Sequence, residues 1–159
     1  MTNQETPTFK WLDENAEPYC PGKQACTMEC DESCPIVANV MGYEAFEKGE
    51  TEEAKELFKK AIVATPDNKF GSAWSNLAAT YMKLGMARDA HESFKNAYCI
   101  NQDKASAYAG LAASYAALKE YDKALEWCDK YAAKFGEEDI AKLRGKILKK
   151  QAASESNEL

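Results

Sequence analysis

Residues 71–104 read GSAWSNLAATYMKLGMARDAHESFKNAYCINQDK and residues 105–138 read ASAYAGLAASYAALKEYDKALEWCDKYAAKFGEE; set one above the other, they are the same phrase with a period of 34. Trp74, Leu77, Ala78, Tyr81, Leu84, Ala90 and Phe94 recur as Tyr108, Leu111, Ala112, Tyr115, Leu118, Ala124 and Cys128, and Tyr131 stands where the earlier copy has Ala97. Working outward, residues 35–68 form a first copy, with Met41, Gly42, Ala54, Phe58, Ala61 and Pro66 in register and Lys69 and Phe70 in excess before the next. A fixed period of this length marks stacked units, because one unit alone cannot bury both of its faces.

Each unit reads as two helices. Apolar residues recur every three or four positions, and a turn signal interrupts them at Lys48-Gly49-Glu50, Leu84-Gly85-Met86 and Lys119-Glu120-Tyr121. Gly42, Ala78 and Ala112 on the first helices, with Ala54, Ala90 and Ala124 on the second, are small where paired backbones must meet. Phe58, Phe94 and Cys128 are placed to fill the space between one hairpin and the next. Residues 138–151 then put Ile140, Leu143, Ile147 and Leu148 on one stripe, and Lys142, Arg144, Lys146, Lys149 and Lys150 on a face expected to be solvated. Residues 152–159 are expected to be disordered.

The pattern resembles the tetratricopeptide repeat (TPR) family. The resemblance implies an all-α fold, a right-handed helical-hairpin solenoid of three TPR units (35–68, 71–104 and 105–138) with a capping helix (138–151). The TPR domain would then span 35–151, after an irregular cysteine-rich segment at 1–34. It also implies a protein-binding groove lined by the first helix of each unit. The residues so placed are Asn39, Tyr43 and Phe46; Ser72, Ser75, Asn76, Ala79, Met82 and Lys83; and Ser106, Ala109 and Ala113. A partner peptide or helix is the expected occupant. Chaperone-binding members resemble one another in a carboxylate clamp of two lysines, an arginine and two asparagines. At those places stand Asn39, Tyr43, Asn76, Ser106 and Gly110, of which only Asn76 matches, so a chaperone C-terminal tail is not expected.

Composition narrows the function further. The 159 residues carry 26 acids against 20 bases, a net charge of −6, which argues against a nucleic-acid partner. The most apolar run, 105–118, is too short and too rich in serine and tyrosine to insert in a membrane. Residues 1–17 lack the apolar stretch of a secretory signal, so a cytoplasmic location is expected. No Ser/His/Asp set, phosphate loop or histidine-rich motif is present, and an enzyme is not expected. His91, beside Arg88, Asp89 and Glu92, is expected at the surface, and Cys99 and Cys128 in the core.

The remaining chemistry lies in residues 20–35, CPGKQACTMECDESCP. Pro35 disfavours helical geometry at Cys34 and suits the first helical position, which makes Cys34 the expected N-cap of the first repeat helix. Cys20, Cys26, Cys30 and Cys34 could converge on one metal, whose charge would relieve repulsion among thiolates surrounded by Glu29, Asp31 and Glu32. Zinc suits four sulfurs, although C-x2-C knuckles are absent. An iron–sulfur cluster also takes four cysteines, and Cys34-Pro35 resembles the ending of bacterial ferredoxin motifs; the two stay undecided. Cu(I), with Met28 nearby, fits less well. Redox-active thiols and unrelated cysteines are the alternatives to a metal. Two roles follow: a metal-stapled N-terminal cap on an adaptor, or a redox or metal-handling protein for which the repeats are a docking module. Phe9, Trp11, Leu12 and Tyr19 upstream are expected to pack on the first repeat, or in the groove.

Overall fold

The structure, a computed structural model, describes residues 34–156. These residues form α1 (Pro35–Lys48), α2 (Thr51–Val63), a 3-10 turn (Pro66–Asn68), α3 (Gly71–Lys83), α4 (Ala87–Ile100), α5 (Ala105–Ala117), α6 (Tyr121–Phe135) and α7 (Ala141–Ser156), with no strand among them. The fold is all-α. Cys34 is the N-cap of α1, extended at φ −73 and ψ 123, as a residue preceding proline must be.

The three hairpins close by one device. Gly49 N–H donates to Phe46 O (3.1 Å) and Glu50 N–H to Ala45 O (2.9 Å); Gly85 and Met86 do the same to Met82 and Tyr81, and Lys119 and Glu120 to Ala116 and Tyr115. This pair of bonds satisfies carbonyls at the helix end only if the first donor is left-handed. Gly49 and Gly85 adopt φ 86 and 76, and the third turn puts Lys119 there at φ 64.

Small residues set the spacing of the helices. Ala54, Ala78, Ala90, Ala112 and Ala124 are wholly buried. Two glycines permit still closer approach: a Cβ on Gly42 would sit 2.8 Å from the Phe58 ring, and one on Gly110 would sit 2.2 Å from the Phe94 ring. Phe58 and Phe94 thus fill the space between helices, each contributing on the order of 1.5–3 kcal/mol by burial. Tyr98, Tyr108, Trp127 and Phe135 form an edge-to-face cluster where the second unit meets the third, with neighbouring centroids 5.1–5.6 Å apart. Buried Cys128 and Tyr131 join Ile140 and Ile147 beside it. Between units one and two, Asp67 and Asn68 turn left-handed, and the Asn68 carbonyl accepts from Trp74 Nε1–H at 2.8 Å. The extra Lys69 and Phe70 follow, with Phe70 packed on the first core.

Four expectations need correction. Cys99 is exposed, whereas Cys128 is buried. The inward stripe of α4 is Ala90, Ser93, Phe94 and Ala97, and two residues past Ala97 is more than half a turn round the helix. Leu148 is 48% exposed, so the inner stripe of the cap consists of Ile140, Leu143 and Ile147. Arg144 leaves the cationic face: its guanidinium donates to Asp129 (2.6 Å) and Glu137 (2.9 and 3.0 Å), pinning α7 to α6 and to the preceding loop. Finally, α7 does not stop at Gln151 but continues through residues 152–156 of the expected tail. Ala152 and Ala153 favour helix, Gln151 Nε2–H donates to Asp122 at 3.0 Å, and Ser156 donates back to the Ala153 carbonyl. Among the described residues no helix is long and apolar enough to cross a membrane.

Candidate functional site: the inner face of the hairpin stack

The helices pair as α1/α2, α3/α4 and α5/α6, and the pairs stack through α2/α3 and α4/α5. Across units, α1 touches α3, α3 touches α5 and α5 touches α7, whereas the backbones of α2 and α4, and of α4 and α6, stay further apart, the latter two meeting through side chains such as Tyr98 and Trp127. The first helices are therefore the crowded side of the bend, and their outward-facing residues line its hollow.

Two cross-links hold the hollow open at the first two units. Asn76 Nδ2–H donates to Asn39 Oδ1 at 3.1 Å, and Lys83 Nζ donates to the Phe46 carbonyl at 3.3 Å while lying 4.4 Å from the centre of its ring. Such a placement favours the ammonium electrostatically and keeps Phe46 upright. Tyr43 is 44% exposed, and Phe46 and Met82 are half-buried. Ser75, Ala79, Ala109 and Ala113 are half-buried and Ser72 and Ser106 exposed, so the hollow runs from aromatic at α1 to small and uncharged at α5. All twelve residues expected in the groove lie on α1, α3 or α5. Gly110 offers no side chain of its own, and the ring of Phe94 occupies the space where one would begin.

Two features escaped the sequence. His91 is not a solvated residue: its Nδ1 lies 3.0 Å from Ser114 Oγ, and its ring meets Tyr115 edge-on at 4.4 Å. Buried Ser114 gives its own proton to the Leu111 carbonyl at 2.9 Å, which leaves its oxygen to accept from His91 Nδ1–H. Burial pushes the imidazole below its ordinary pKa, against the pull of Glu92 and Glu120. Burial likewise pushes the Cys128 thiol up, which suits a packing role. A second concavity of about 360 Å³ lies between α2 and α4, floored by Trp74, Leu77 and Tyr81 with Val63, 77% exposed, at its edge. The exposure of Val63 follows from α2 and α4 being too far apart to cover it.

Of the expected metal ligands, Cys20, Cys26 and Cys30 lie outside the described residues, as do Phe9, Trp11, Leu12 and Tyr19. Cys34 is half-buried, and its thiol makes no capping hydrogen bond. Among the described residues no group of three or more His, Cys, Asp or Glu side chains could hold a metal ion.

Two tetratricopeptide-repeat family models match this chain, over residues 37–68 and 84–147. The pre-mRNA-splicing factor CLF1 of the yeast Yarrowia lipolytica is 31% identical over 97 residues, 60% of this chain and 14% of that protein, so the chain spans only a small part of that relative. The first TPR of Spaghetti (RPAP3) bound to the HSP90 peptide SRMEEVD has a TM-score of 0.68 at 21% identity, covering 77% of this chain and 99% of that one. The TPR2B domain of yeast Sti1, in its complex with pHsp70, has a TM-score of 0.66 at 24% identity, covering 76% and 97%. These likenesses show the fold. Against the expectation that a chaperone tail is excluded, two of these similar hairpin stacks are complexes, one with an HSP90 peptide and one with pHsp70, so the fold itself does not support the exclusion. The exclusion rested on five side chains, whereas the hollow itself is shaped by the backbone these domains share.

Proposed function

Because the chain belongs to the tetratricopeptide-repeat family, we propose that it is a protein-interaction adaptor holding a peptide or short helix of a partner against the inner face of α1, α3 and α5. The observation that carries this is the continuous hollow formed by three helices that touch in succession, α1 to α3 to α5, with Tyr43, Phe46 and Met82 offering apolar anchors and Asn76 an amide beside them. Family members of similar shape that hold chaperone peptides support it. The role is one of binding. Small side chains towards α5 leave room for a partner's bulky residue, and specificity comes from the aromatic end.

The test is a titration of the full chain with the peptide SRMEEVD, together with affinity capture from lysate, repeated with Tyr43→Glu/Ala79→Arg. Both positions lie on the inner face, so the variant keeps the fold and fills the hollow with bulk and charge. Loss of captured partners, or of peptide binding, supports the assignment. Identical capture by the variant would place the binding surface elsewhere.

A second reading concerns Cys20, Cys26, Cys30 and Cys34. The half-buried Cys34 thiol stands at the start of α1 with no capping hydrogen bond to make, which supports metal ligation, by zinc or an iron–sulfur cluster, as a staple on the first unit. Anaerobic purification separates the cases: a brown protein absorbing near ~400 nm indicates the cluster and one zinc per chain the staple. A metal-free protein of unchanged stability would sink both.

A further inference from the structure

We propose that the acidic N-terminal arm of this chain docks in cis on the lysine stripe of α7. Lys142, Lys146, Lys149 and Lys150 follow one another at intervals that line one exposed face of the helix, about a quarter turn round from Leu143 and Ile147. All four are exposed, and no carboxylate among the described residues pairs with them. Lysines elsewhere in the stack do find acids: Lys59 with Glu56, Lys95 with Glu92, Lys123 with Glu120 and Lys134 with Asp103. In α7 only Arg144 is paired, and Glu155 is the helix's one acid. The cap thus presents a concentrated positive face in a chain whose net charge is −6.

The complementary charge lies in residues 1–33, which hold seven carboxylates against two lysines, with Asp13, Glu14 and Glu17 close together. The path is short enough. The hydrogen bond from Gln151 to Asp122 brings the end of α7 to the start of α6, so α7 runs antiparallel to α6 and parallel to α1, α3 and α5. Its first turn, with Lys142, therefore lies at the same end of the stack as Cys34, and the stripe runs on from there by about 12 Å to Lys150. Three steps of about 10 Å, from α1 to α3 to α5 to α7, make about 30 Å, or about ten extended residues. From Cys34, Asp13–Glu17 reach the stripe with slack to spare when Cys20, Cys26 and Cys30 are not gathered beside Cys34, so docking in cis and the four-cysteine staple exclude one another. The hollow offers these carboxylates an almost uncharged surface, and tethering raises their concentration beside α7 enough for individually weak exposed pairs to hold.

Zero-length carbodiimide cross-linking of the full chain, as an equal mixture of 14N- and 15N-labelled protein at low salt, tests this. The expected product joins Asp13, Glu14 or Glu17 to an α7 lysine within one isotope. Its yield should fall several-fold between about 0.05 M and about 0.5 M salt, as screening shortens. It should fall likewise in Lys146→Glu/Lys149→Glu, whose exposed sites leave the fold intact by circular dichroism, and adding Glu14→Lys/Glu17→Lys should produce the reverse cross-link, from the arm's new amines to the carboxylates introduced in α7, within one isotope. Mixed-isotope products would assign the stripe to a second copy. Products at Lys48, Lys55 or Lys59 would put the arm on the first unit, and no arm product would leave the stripe to an external acidic partner; each of these overturns docking in cis.

Discussion

Gly110→Ala probes how the second and third units meet. In a helix interior, alanine for glycine is ordinarily worth about 0.5–1 kcal/mol in favour of folding. Here the new methyl would lie 2.2, 2.2 and 2.7 Å from three carbons of the Phe94 ring, where carbons in contact sit at about 3.5–4.0 Å. The ring must retreat by more than 1 Å or so, and Phe94 is only 7% exposed, packed with Ala78 and Leu111 and flanked by Met82, Tyr98 and Trp127. Overpacking of this kind costs about 1–3 kcal/mol, so the net expectation is a loss of about 1–2 kcal/mol, or about 3–8 °C in melting temperature for a domain of this size. Gly145→Ala is the control, since a Cβ there meets nothing within 4 Å, and it should gain about 0.5–1 kcal/mol. Urea unfolding of both variants, with Phe94→Leu and the Gly110→Ala/Phe94→Leu double variant, completes the test. The double variant should be more stable than the sum of its parts by about 1 kcal/mol, because the smaller side chain makes way for the methyl. A Gly110→Ala protein as stable as Gly145→Ala, with additive double-variant energies, would refute the placement of Phe94 over Gly110.

Lys119→Gly should stabilise by about 0.5–1 kcal/mol, since a left-handed lysine costs about 1–2 kcal/mol and the flexibility of glycine returns part of that; an unchanged urea midpoint would count against this turn. His91, with its pKa held below 6.5 by burial, binds its proton less readily folded than unfolded. Its contribution is therefore complete above pH 6.5 and is lost as pH falls from there to the folded value, so His91→Gln should flatten the loss of stability as pH falls below 6.5; parallel curves would contradict its burial. Among Cys34, Cys99 and Cys128, an aromatic disulfide reagent should modify Cys99 in the native protein and Cys128 only on unfolding, as peptide mapping would report. Cys128→Phe, which copies the second unit into the third, should lower the urea midpoint by the equivalent of about 1–3 kcal/mol.

The last of these shows what a repeat sequence discloses and what it withholds. Period, hairpins and inner face were readable because small residues at Gly42, Ala78 and Ala112, and again at Ala54, Ala90 and Ala124, can serve only close helix approach at that spacing. His91 and Cys99 misled for one reason: whether a residue beside the buried stripe is covered depends on the next unit. Ser114 and Tyr115, more than twenty residues away, reach His91, and nothing comparable buries Cys99. The junctions carry information in pairs. At the second-to-third junction a large Phe94 lies over Gly110, which has no side chain. One period later Phe94 becomes Cys128 and Gly110 becomes Arg144, so the bulk has passed from one side of the junction to the other. Among the described residues α7 packs on α5 and α6 alone, and Arg144, reaching Asp129 and Glu137, supplies by ion pairing the attachment that an aromatic ring supplies between the second and third units. A phenylalanine restored at residue 128 would meet an arginine in the place of a glycine, which is why agreement with the repeat should there destabilise the protein.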